Sequence, residues 1–128
     1  MAFNFLIVDD SPVMRKVIIK TIRMSGVDVG ELFEAGNGAE GLIEARAHWI
    51  DLILTDLNMP IMDGLTFIEY LKDDEVLRSI PVIVISTEGR DDVVQRAVDI
   101  GAADYITKPF RPEQIGADVL KILGYSNA

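Results

Sequence analysis

Five short apolar segments, each followed by a segment of helical periodicity, constrain the fold of this 128-residue chain more than any other feature. The apolar segments are rich in β-branched residues, as expected for strands that are buried on both faces. We expect strands over residues 3–8, 32–35, 52–56, 81–86 and 104–108. We expect helices over residues 12–25, 39–48, 65–73, 91–100 and 112–123. This alternation predicts an α/β fold, in which helices cover both faces of a five-stranded parallel sheet.

The spacing of apolar residues within each helical segment predicts which side chains face the core. The residues expected to face inward are Val13, Met14, Val17, Ile18, Thr21 and Ile22 in the first helix, Leu42, Ile43 and Ala47 in the second, and Val93, Val94, Ala97 and Val98 in the fourth. Gly26 and Gly30 are expected to stop the first helix, which places Gly30 before the second strand.

Composition narrows the classes of function. The net charge of −9 at pH 7 disfavours binding to nucleic acid, and it suits cations or basic protein surfaces. Cysteine is absent, which excludes disulfides and cysteine-bound zinc. The apolar runs are too short for a membrane span, and the N-terminus lacks the basic stretch of a signal peptide. We expect a cytoplasmic monomer that consists of one domain over residues 1–128, with no output domain and no membrane association.

Polar side chains stand where four of the predicted strands end. Asp9 and Asp10 follow the first strand, Asp56 ends the third, Ser86 ends the fourth and Lys108 ends the fifth. In a parallel sheet these positions lie at one edge, where ligands of open α/β sheets bind. The sequence therefore predicts a crevice in which three carboxylates, one hydroxyl and one ammonium group converge.

The chemistry of this set favours phosphoryl transfer. Three adjacent carboxylates need a cation to stay ionised together. Oxygen ligands without histidine or cysteine favour Mg²⁺, with Mn²⁺ as an alternative. Asp56 can act as a carboxylate nucleophile, while Lys108 neutralises a phosphoryl group and Ser86 donates to one of its oxygens.

These residues resemble the receiver domain of two-component response regulators. The matching pieces are Asp9-Asp10, Asp56 followed by Met59-Pro60 and Asp63-Gly64, Ser86, and Lys108-Pro109-Phe110. The resemblance implies a doubly wound, flavodoxin-like sheet with strand order 2-1-3-4-5. It also implies that Asp56 accepts phosphate from a histidine kinase, and that the Lys108–Pro109 bond is cis. Finally, it implies that Asp9, Asp10, Asp56 and the Asn58 backbone carbonyl hold Mg²⁺.

Further positions are similar to those of the stand-alone chemotaxis regulators within that family. The resemblance implies that Ser86 and Tyr105 form a switch, and that Asn58 and Glu88 tune phosphate hydrolysis. The switch would control a face made of helix four, strand five and helix five. Its partner would be a flagellar switch or another output protein, with a phosphatase as a further partner. This face is expected to carry the acidic residues Asp91, Asp92, Asp99, Glu113 and Asp118. They depart from what an acidic partner peptide requires, and they leave the identity of the partner open.

Three other functions compete with that of a phosphorylation-switched binding module. A phosphorelay shuttle, which passes phosphate to a histidine phosphotransfer domain, uses the same site. An aspartyl-phosphate phosphatase requires an acid two residues after its nucleophile, where this chain has Asn58. We therefore expect no enzyme beyond self-phosphotransfer and slow autodephosphorylation. A dinucleotide site at Gly36-Asn37-Gly38-Ala39-Glu40-Gly41 is disfavoured, because this motif follows the second strand and leaves Asp9, Asp10 and Lys108 without a role.

Overall fold

The computed structural model of the chain describes residues 2–124 and contains the expected alternation of strands and helices. The strands are β1 (Phe3–Val8), β2 (Val29–Ala35), β3 (Leu52–Thr55), β4 (Val82–Ser86) and β5 (Asp104–Thr107). The helices are α1 (Pro12–Met24), α2 (Gly38–Ala47), α3 (Gly64–Asp73), α4 (Asp91–Asp99) and α5 (Pro112–Ile122). Within residues 2–124, no helix has the length and apolar character needed to cross a membrane.

The five strands form one parallel sheet in the order β2-β1-β3-β4-β5, which confirms the fold class and the strand order. Val8, the last residue of β1, pairs with Thr55, the last residue of β3. Likewise, Ser86 at the end of β4 pairs with Thr107 at the end of β5. This register brings the carboxyl ends of the four strands to one edge of the sheet, as the strand-end residues predicted.

The sheet separates two apolar cores, because alternate residues of each strand point to opposite faces. Leu6, Val8 and Ile53 pack with α2 and α3 on one face, around the fully buried ring of Phe67. On the other face, residues such as Phe5 and Ile7 pack against α1 and α5. Helices on both faces make the sheet doubly wound, and they explain why the central strands carry no polar alternation.

The predicted inward faces of three helices were too wide. Val13 is 73% exposed and Val17 is 42% exposed, whereas α1 buries Ile18, Thr21 and Ile22. Further residues that were predicted to be buried but are exposed are Ile43, Ala47 and Val98. Each of them lies about 100° or more around its helix from the middle of the buried face, at 3.6 residues per turn. Apolar character alone overestimated how much of each helix the sheet covers.

β2 begins three residues earlier than predicted, at Val29. Gly30, which we expected to precede the strand, lies inside it. A Cβ atom at Gly30 would lie 2.4 Å from Asn4 Oδ1, so the missing side chain makes room for that amide. Asn4 Oδ1 in turn accepts a hydrogen bond of 2.8 Å from the Glu31 backbone N–H. This glycine permits a close approach at the edge strand and does not break the strand.

Candidate functional site

Asp9 and Asp56 each continue the hydrogen-bonding ladder one residue past a strand, which fixes both backbones at the carboxyl edge. The Asp9 N–H donates to the Ala35 carbonyl at 3.0 Å, and the Asp56 N–H donates to the Val8 carbonyl at 2.9 Å. Both side chains are buried, with Asp9 only 1% exposed. Buried carboxylates require partners, and these partners come from Lys108 just after β5, from the start of α1 and from the loop after β3.

Lys108 bridges the two buried acids. Its Nζ lies 2.9 Å from Asp9 Oδ2 and 3.0 Å from Asp56 Oδ2. Burial lowers the pKa of Lys108, but the hydrogen bonds to Asp9 and Asp56 outweigh it and leave that pKa above its usual value. The ammonium group is therefore charged throughout the physiological pH range. The Lys108–Pro109 peptide bond that follows is cis, as the resemblance implied.

Asp10 completes a cluster of three acids at this edge. The carboxylate oxygens of Asp9, Asp10 and Asp56 can all lie within 4.8 Å of one another, and Asp10 is the exposed member. Two buried carboxylates and one exposed carboxylate form an oxygen-only donor set that opens to solvent on one side. Such a set fits Mg²⁺, which binds through one or two carboxylates and keeps several waters.

The first turn of α1 orients Asp9. Its Oδ1 accepts a hydrogen bond of 2.9 Å from the Ser11 N–H, while Ser11 Oγ caps the helix by accepting from the Met14 N–H at 3.2 Å. Arg15 donates from Nη1 to the Asp9 carbonyl at 2.6 Å, and its Nε forms an ion pair with Glu34 at 2.9 Å. Sequence analysis missed Arg15, because its role depends on a helical turn that brings it back over the end of β1.

The loop after β3 holds the Asp56 carboxylate from the other side. Asp56 Oδ1 accepts a hydrogen bond of 2.6 Å from the Leu57 N–H, so its two oxygens have different partners. The Asp56 carbonyl accepts from Thr55 Oγ1 at 2.8 Å. A Cβ atom at Gly64 would lie 2.1 Å from that same carbonyl oxygen. Gly64 is thus required for α3 to start against Asp56, a role that the Asp63-Gly64 pair in the sequence could have indicated.

Ser86, the last residue of β4, and Tyr105, within β5, lie close together. Ser86 is fully buried, and its Oγ accepts a hydrogen bond of 3.2 Å from the Glu88 N–H. The Tyr105 hydroxyl donates to the Glu88 carbonyl and also interacts with the Ser86 side chain. Burial raises the pKa of Tyr105, and the charges of Glu88 and Asp56 raise it further. The phenol is therefore neutral and remains a hydrogen-bond donor at physiological pH.

The two positions predicted to tune hydrolysis lie outside the acid cluster. Asn58 is exposed in the loop after Asp56. Glu88 forms an ion pair of 2.7 Å with Arg90 Nε, and hydrogen bonds from Arg90 lower the pKa of its carboxyl group. Neither side chain contacts Asp56 among the hydrogen bonds of residues 2–124.

The glycine-rich motif after β2 serves helix packing. Asn37 caps α2 by accepting from the Glu40 N–H at 3.0 Å, and Glu40 Oε2 accepts from the Gly36 N–H at 2.9 Å. A Cβ atom at Gly38 would lie 2.8 Å from Met62 Cγ, and one at Gly41 would lie 3.0 Å from the Phe67 ring. These glycines therefore let α2 approach α3 and the loop before it.

Comparison with known proteins identifies the family. A sequence model described as the response regulator receiver domain matches residues 5–120, which is most of the chain. This chain belongs to the response regulator receiver domain family. Chemotaxis protein CheY1 of Helicobacter pylori is 36% identical over 123 residues, covering 94% of this chain and 97% of that protein. The resemblance to chemotaxis-type receivers that the sequence indicated is thereby confirmed.

Receiver domains also occur in longer proteins. The phosphate regulon transcriptional regulatory protein PhoB of Escherichia coli is 32% identical over 96% of this chain, which covers 52% of PhoB. A solved CheX-CheY-BeF3-Mg²⁺ complex from Borrelia burgdorferi has a TM-score of 0.85 at 29% identity, over 94% of this chain and 89% of that chain. Receiver domains are generally signalling domains and not enzymes. They work with histidine kinases and downstream targets, and they bind Mg²⁺ through an acidic cluster.

Proposed function

We propose that this receiver domain accepts a phosphoryl group on Asp56 from a histidine kinase, and that phosphorylation switches the surface formed by α4, β5 and α5. The observation that carries the proposal is the bridge that Lys108 Nζ makes between Asp9 Oδ2 and Asp56 Oδ2. It places a cation beside a nearly buried carboxylate at the ligand-binding edge of the sheet. A purely structural ion pair would not explain the third acid at Asp10.

Asp56 supplies the nucleophile. One carboxylate oxygen forms a bond to phosphorus as the bond between phosphorus and the donor's imidazole nitrogen breaks, giving an aspartyl phosphate and a free histidine. Asp56 Oδ1 accepts a hydrogen bond from the Leu57 N–H. The other oxygen, Oδ2, is bound by Lys108 and is therefore on the side of the acid cluster. Lys108 then stabilises the charge of the transferred group, and Ser86 donates a hydrogen bond to one of its oxygens.

Asp9, Asp10, Asp56 and the Asn58 backbone carbonyl would hold Mg²⁺. The bound ion would neutralise the charge that accumulates when a phosphoryl group enters a site already containing three carboxylates. Arg15 and the Ser11 N–H keep Asp9 oriented for that role, because they bind its carbonyl and its Oδ1 respectively. Mn²⁺ satisfies the same oxygen ligands.

Ser86 and Tyr105 transmit the change to the outer surface. In the structure the Ser86 hydroxyl accepts from the Glu88 N–H, and Tyr105 donates to the Glu88 carbonyl. When Ser86 turns toward the phosphoryl group, it leaves the Glu88 amide, and the turn that anchors Tyr105 loosens. Tyr105 can then move inward and change the face formed by α4, β5 and α5. Asn58 and Glu88, which lie outside the acid cluster in the structure, would tune the rate at which water removes the phosphoryl group.

This surface would bind a downstream protein, and the similarity to CheY1 supports a role in chemotaxis. Relay of the phosphate to a histidine phosphotransfer domain remains the alternative, because it uses the same chemistry at Asp56. Retention of partner proteins on immobilised protein, with and without a phosphate mimic, distinguishes the two. A flagellar or output protein supports the first function, and a histidine-containing phosphotransfer domain supports the second.

Intact-mass spectrometry tests the phosphorylation step. Incubation with acetyl phosphate and Mg²⁺ should add the mass of one phosphoryl group to the wild-type chain and none to Asp56→Asn. Chelation of Mg²⁺ should prevent the addition to the wild type.

Asp63→Asn is the matched control, because it changes the nearest loop acid in the same way. Asp63 caps α3 by accepting from the Thr66 N–H at 2.8 Å, and Asn caps helices equally well. This variant should gain the phosphoryl group at the wild-type rate. Equal modification of Asp56→Asn would overturn the proposal.

A further inference from the structure

Asp10 is the member of the acid cluster whose side chain makes no hydrogen bond within residues 2–124. It is exposed, whereas Lys108 and backbone N–H groups hold the buried carboxylates of Asp9 and Asp56. The direction of the Asp10 side chain therefore depends on its backbone. Metal ligands are normally oriented by the groups around them, so the groups that hold this backbone bear on metal binding.

The peptide groups on both sides of Asp10 are held by hydrogen bonds. The Asp9 carbonyl belongs to the peptide group that precedes Asp10, and it accepts from Arg15 Nη1 at 2.6 Å. The Ser11 N–H belongs to the peptide group that follows Asp10, and it donates to Asp9 Oδ1 at 2.9 Å. Because peptide groups are planar, holding both of them limits the two backbone torsions of Asp10 and sets the direction of its side chain.

Glu34 in turn holds Arg15. Glu34 Oε1 accepts from Arg15 Nε at 2.9 Å, and it is the only side-chain acceptor that Arg15 has within residues 2–124. Glu34 lies in β2 opposite Ile7 of β1, so its backbone is part of the sheet. Two donors of one rigid guanidinium group, Nε and Nη1, thus connect the edge strand to the peptide group between Asp9 and Asp10.

The charge of Arg15 by itself opposes metal binding. Its guanidinium group contacts the carbonyl of Asp9, and a positive charge so close to the acid cluster repels Mg²⁺. The Arg15 side chain is 17% exposed and that of Glu34 is 38% exposed, and such a partly exposed ion pair contributes little to stability. Orientation of a ligand can outweigh the repulsion, because groups that orient metal ligands typically change metal affinity about 10–100-fold.

We propose that Glu34 and Arg15 are positioning residues for Asp10. Glu34 anchors Arg15, and Arg15 holds the peptide group between Asp9 and Asp10 so that the Asp10 carboxylate faces the Mg²⁺ site. The inference rests on the proposed function, because it takes Asp10 to be a metal ligand. It adds that the edge strand β2 sets the metal affinity through Glu34, a residue far from the metal ligands in the sequence.

Titration of the full chain with Mn²⁺, without a phosphoryl donor, tests the role of Arg15. Electron paramagnetic resonance measures binding, because the signal of free Mn²⁺ disappears when the ion binds. Arg15→Gln should weaken Mn²⁺ binding at least about tenfold. The loss of charge alone predicts the opposite, since removal of a nearby cation should strengthen binding. Arg23→Gln removes the same charge from the exposed last turn of α1 and should bind Mn²⁺ as the wild type does.

A second pair of variants tests the anchor. Glu34→Ala should also weaken Mn²⁺ binding, because Arg15 then loses its side-chain acceptor. Glu44→Ala is the matched control, since Glu44 lines the same cleft beside Arg15 but forms its ion pair with His48 at 3.2 Å. Glu44→Ala should bind Mn²⁺ as the wild type does, and an equal loss in both variants would contradict the role of Glu34.

A double-mutant cycle tests whether the effect passes through Asp10. In the Asp10→Asn background, Arg15→Gln should weaken Mn²⁺ binding little or not at all, because the ligand that Arg15 positions is gone. Asp9 keeps its own hydrogen bonds from Lys108 and from the Ser11 N–H. A general loss of structure in Arg15→Gln would persist in the Asp10→Asn background, and urea unfolding in EDTA measures it separately.

The outcomes separate this inference from the proposed function. Mn²⁺ binding by Arg15→Gln that equals or exceeds that of the wild type, or an equal loss in the Asp10→Asn background, would overturn the inference. Absence of Mn²⁺ binding by the wild type would overturn it together with the proposed metal site. If acetyl phosphate modifies Asp56 while Arg15→Gln binds Mn²⁺ normally, this inference alone fails. If the variants bind Mn²⁺ as expected but Asp56 is not modified, the proposed phosphorylation alone fails.

Discussion

Asp10→Asn should stabilise the protein without Mg²⁺ and abolish its stabilisation by Mg²⁺. The Asp10 carboxylate repels the carboxylates of Asp9 and Asp56, because one oxygen from each of the three groups lies within 4.8 Å of the others. Coulomb's law gives about 0.9 kcal/mol for each repulsion at the dielectric constant of water, and more where burial reduces solvent screening. The favourable position of Asp10 just before α1 offsets about 0.3–1 kcal/mol of this gain. We therefore expect the free energy of unfolding to rise by about 1 kcal/mol in metal-free buffer.

Mg²⁺ should reverse the order of the two proteins. A ligand that binds only the folded state stabilises the wild type by about 1.4 kcal/mol at ten times its Kd, and the variant has lost one of its three carboxylates. Urea unfolding with EDTA and with Mg²⁺ measures both effects. Glu75→Gln, which removes a charge from the exposed connection between α3 and β4, should show neither effect. The reasoning would be refuted if Asp10→Asn were less stable than the wild type in EDTA, or if Mg²⁺ stabilised Asp10→Asn as much as it stabilises the wild type.

Three further changes test other parts of the structure. Gly64→Ala should cost about 1–3 kcal/mol in urea unfolding, because its Cβ would lie 2.1 Å from the Asp56 carbonyl oxygen. Gly89→Ala, with 3.4 Å to Thr107 Cγ2, should change little, and equal losses would contradict this account. Ile61, with φ of 70°, is strained, so Ile61→Gly should gain about 1 kcal/mol in the same assay, and a loss would contradict that strain. Because burial and Asp104 raise the pKa of Asp118 from 3.8 to about 7, the folded protein binds more protons between these values, and its stability falls as pH rises through this range. Asp118→Asn should remove most of that fall in unfolding measurements across pH, and an unchanged profile would contradict the assignment.

The sequence was sufficient to place the acid cluster, because strand direction and strand ends follow from periodicity. Once β1, β3 and β5 run parallel, Asp9, Asp56 and Lys108 must share one edge of the sheet. Lys108 follows β5, which β4 separates from β3, and its long side chain reaches the two acids at 2.9 and 3.0 Å. The positions of these residues at the sheet edge depend on local pattern and on topology, and both can be inferred from one sequence.

Other features depend on contacts that a one-dimensional pattern does not contain. Arg15 reaches the Asp9 carbonyl only through the rotation of α1, and the same rotation leaves Val13 exposed. Gly64 is constrained by a backbone atom eight residues earlier in the chain. Asp118 was predicted only as part of an acidic face, because its burial beside Asp104 depends on how α5 packs against β5. These features depend on how each helix is rotated about its axis and on which residues become buried in the tertiary structure. The spacing of apolar residues in the sequence does not define either of these accurately.

Chemical mapping of the phosphoryl group tests the central claim most directly. Borohydride reduces an acyl phosphate to an alcohol, so an aspartyl phosphate becomes homoserine at the modified position. After treatment with acetyl phosphate and Mg²⁺, reduction and peptide mass spectrometry should find homoserine at position 56 and at no other aspartate. Homoserine at Asp9, Asp10 or Asp63, or none at any aspartate, would contradict the assignment of Asp56 as the phosphoryl acceptor.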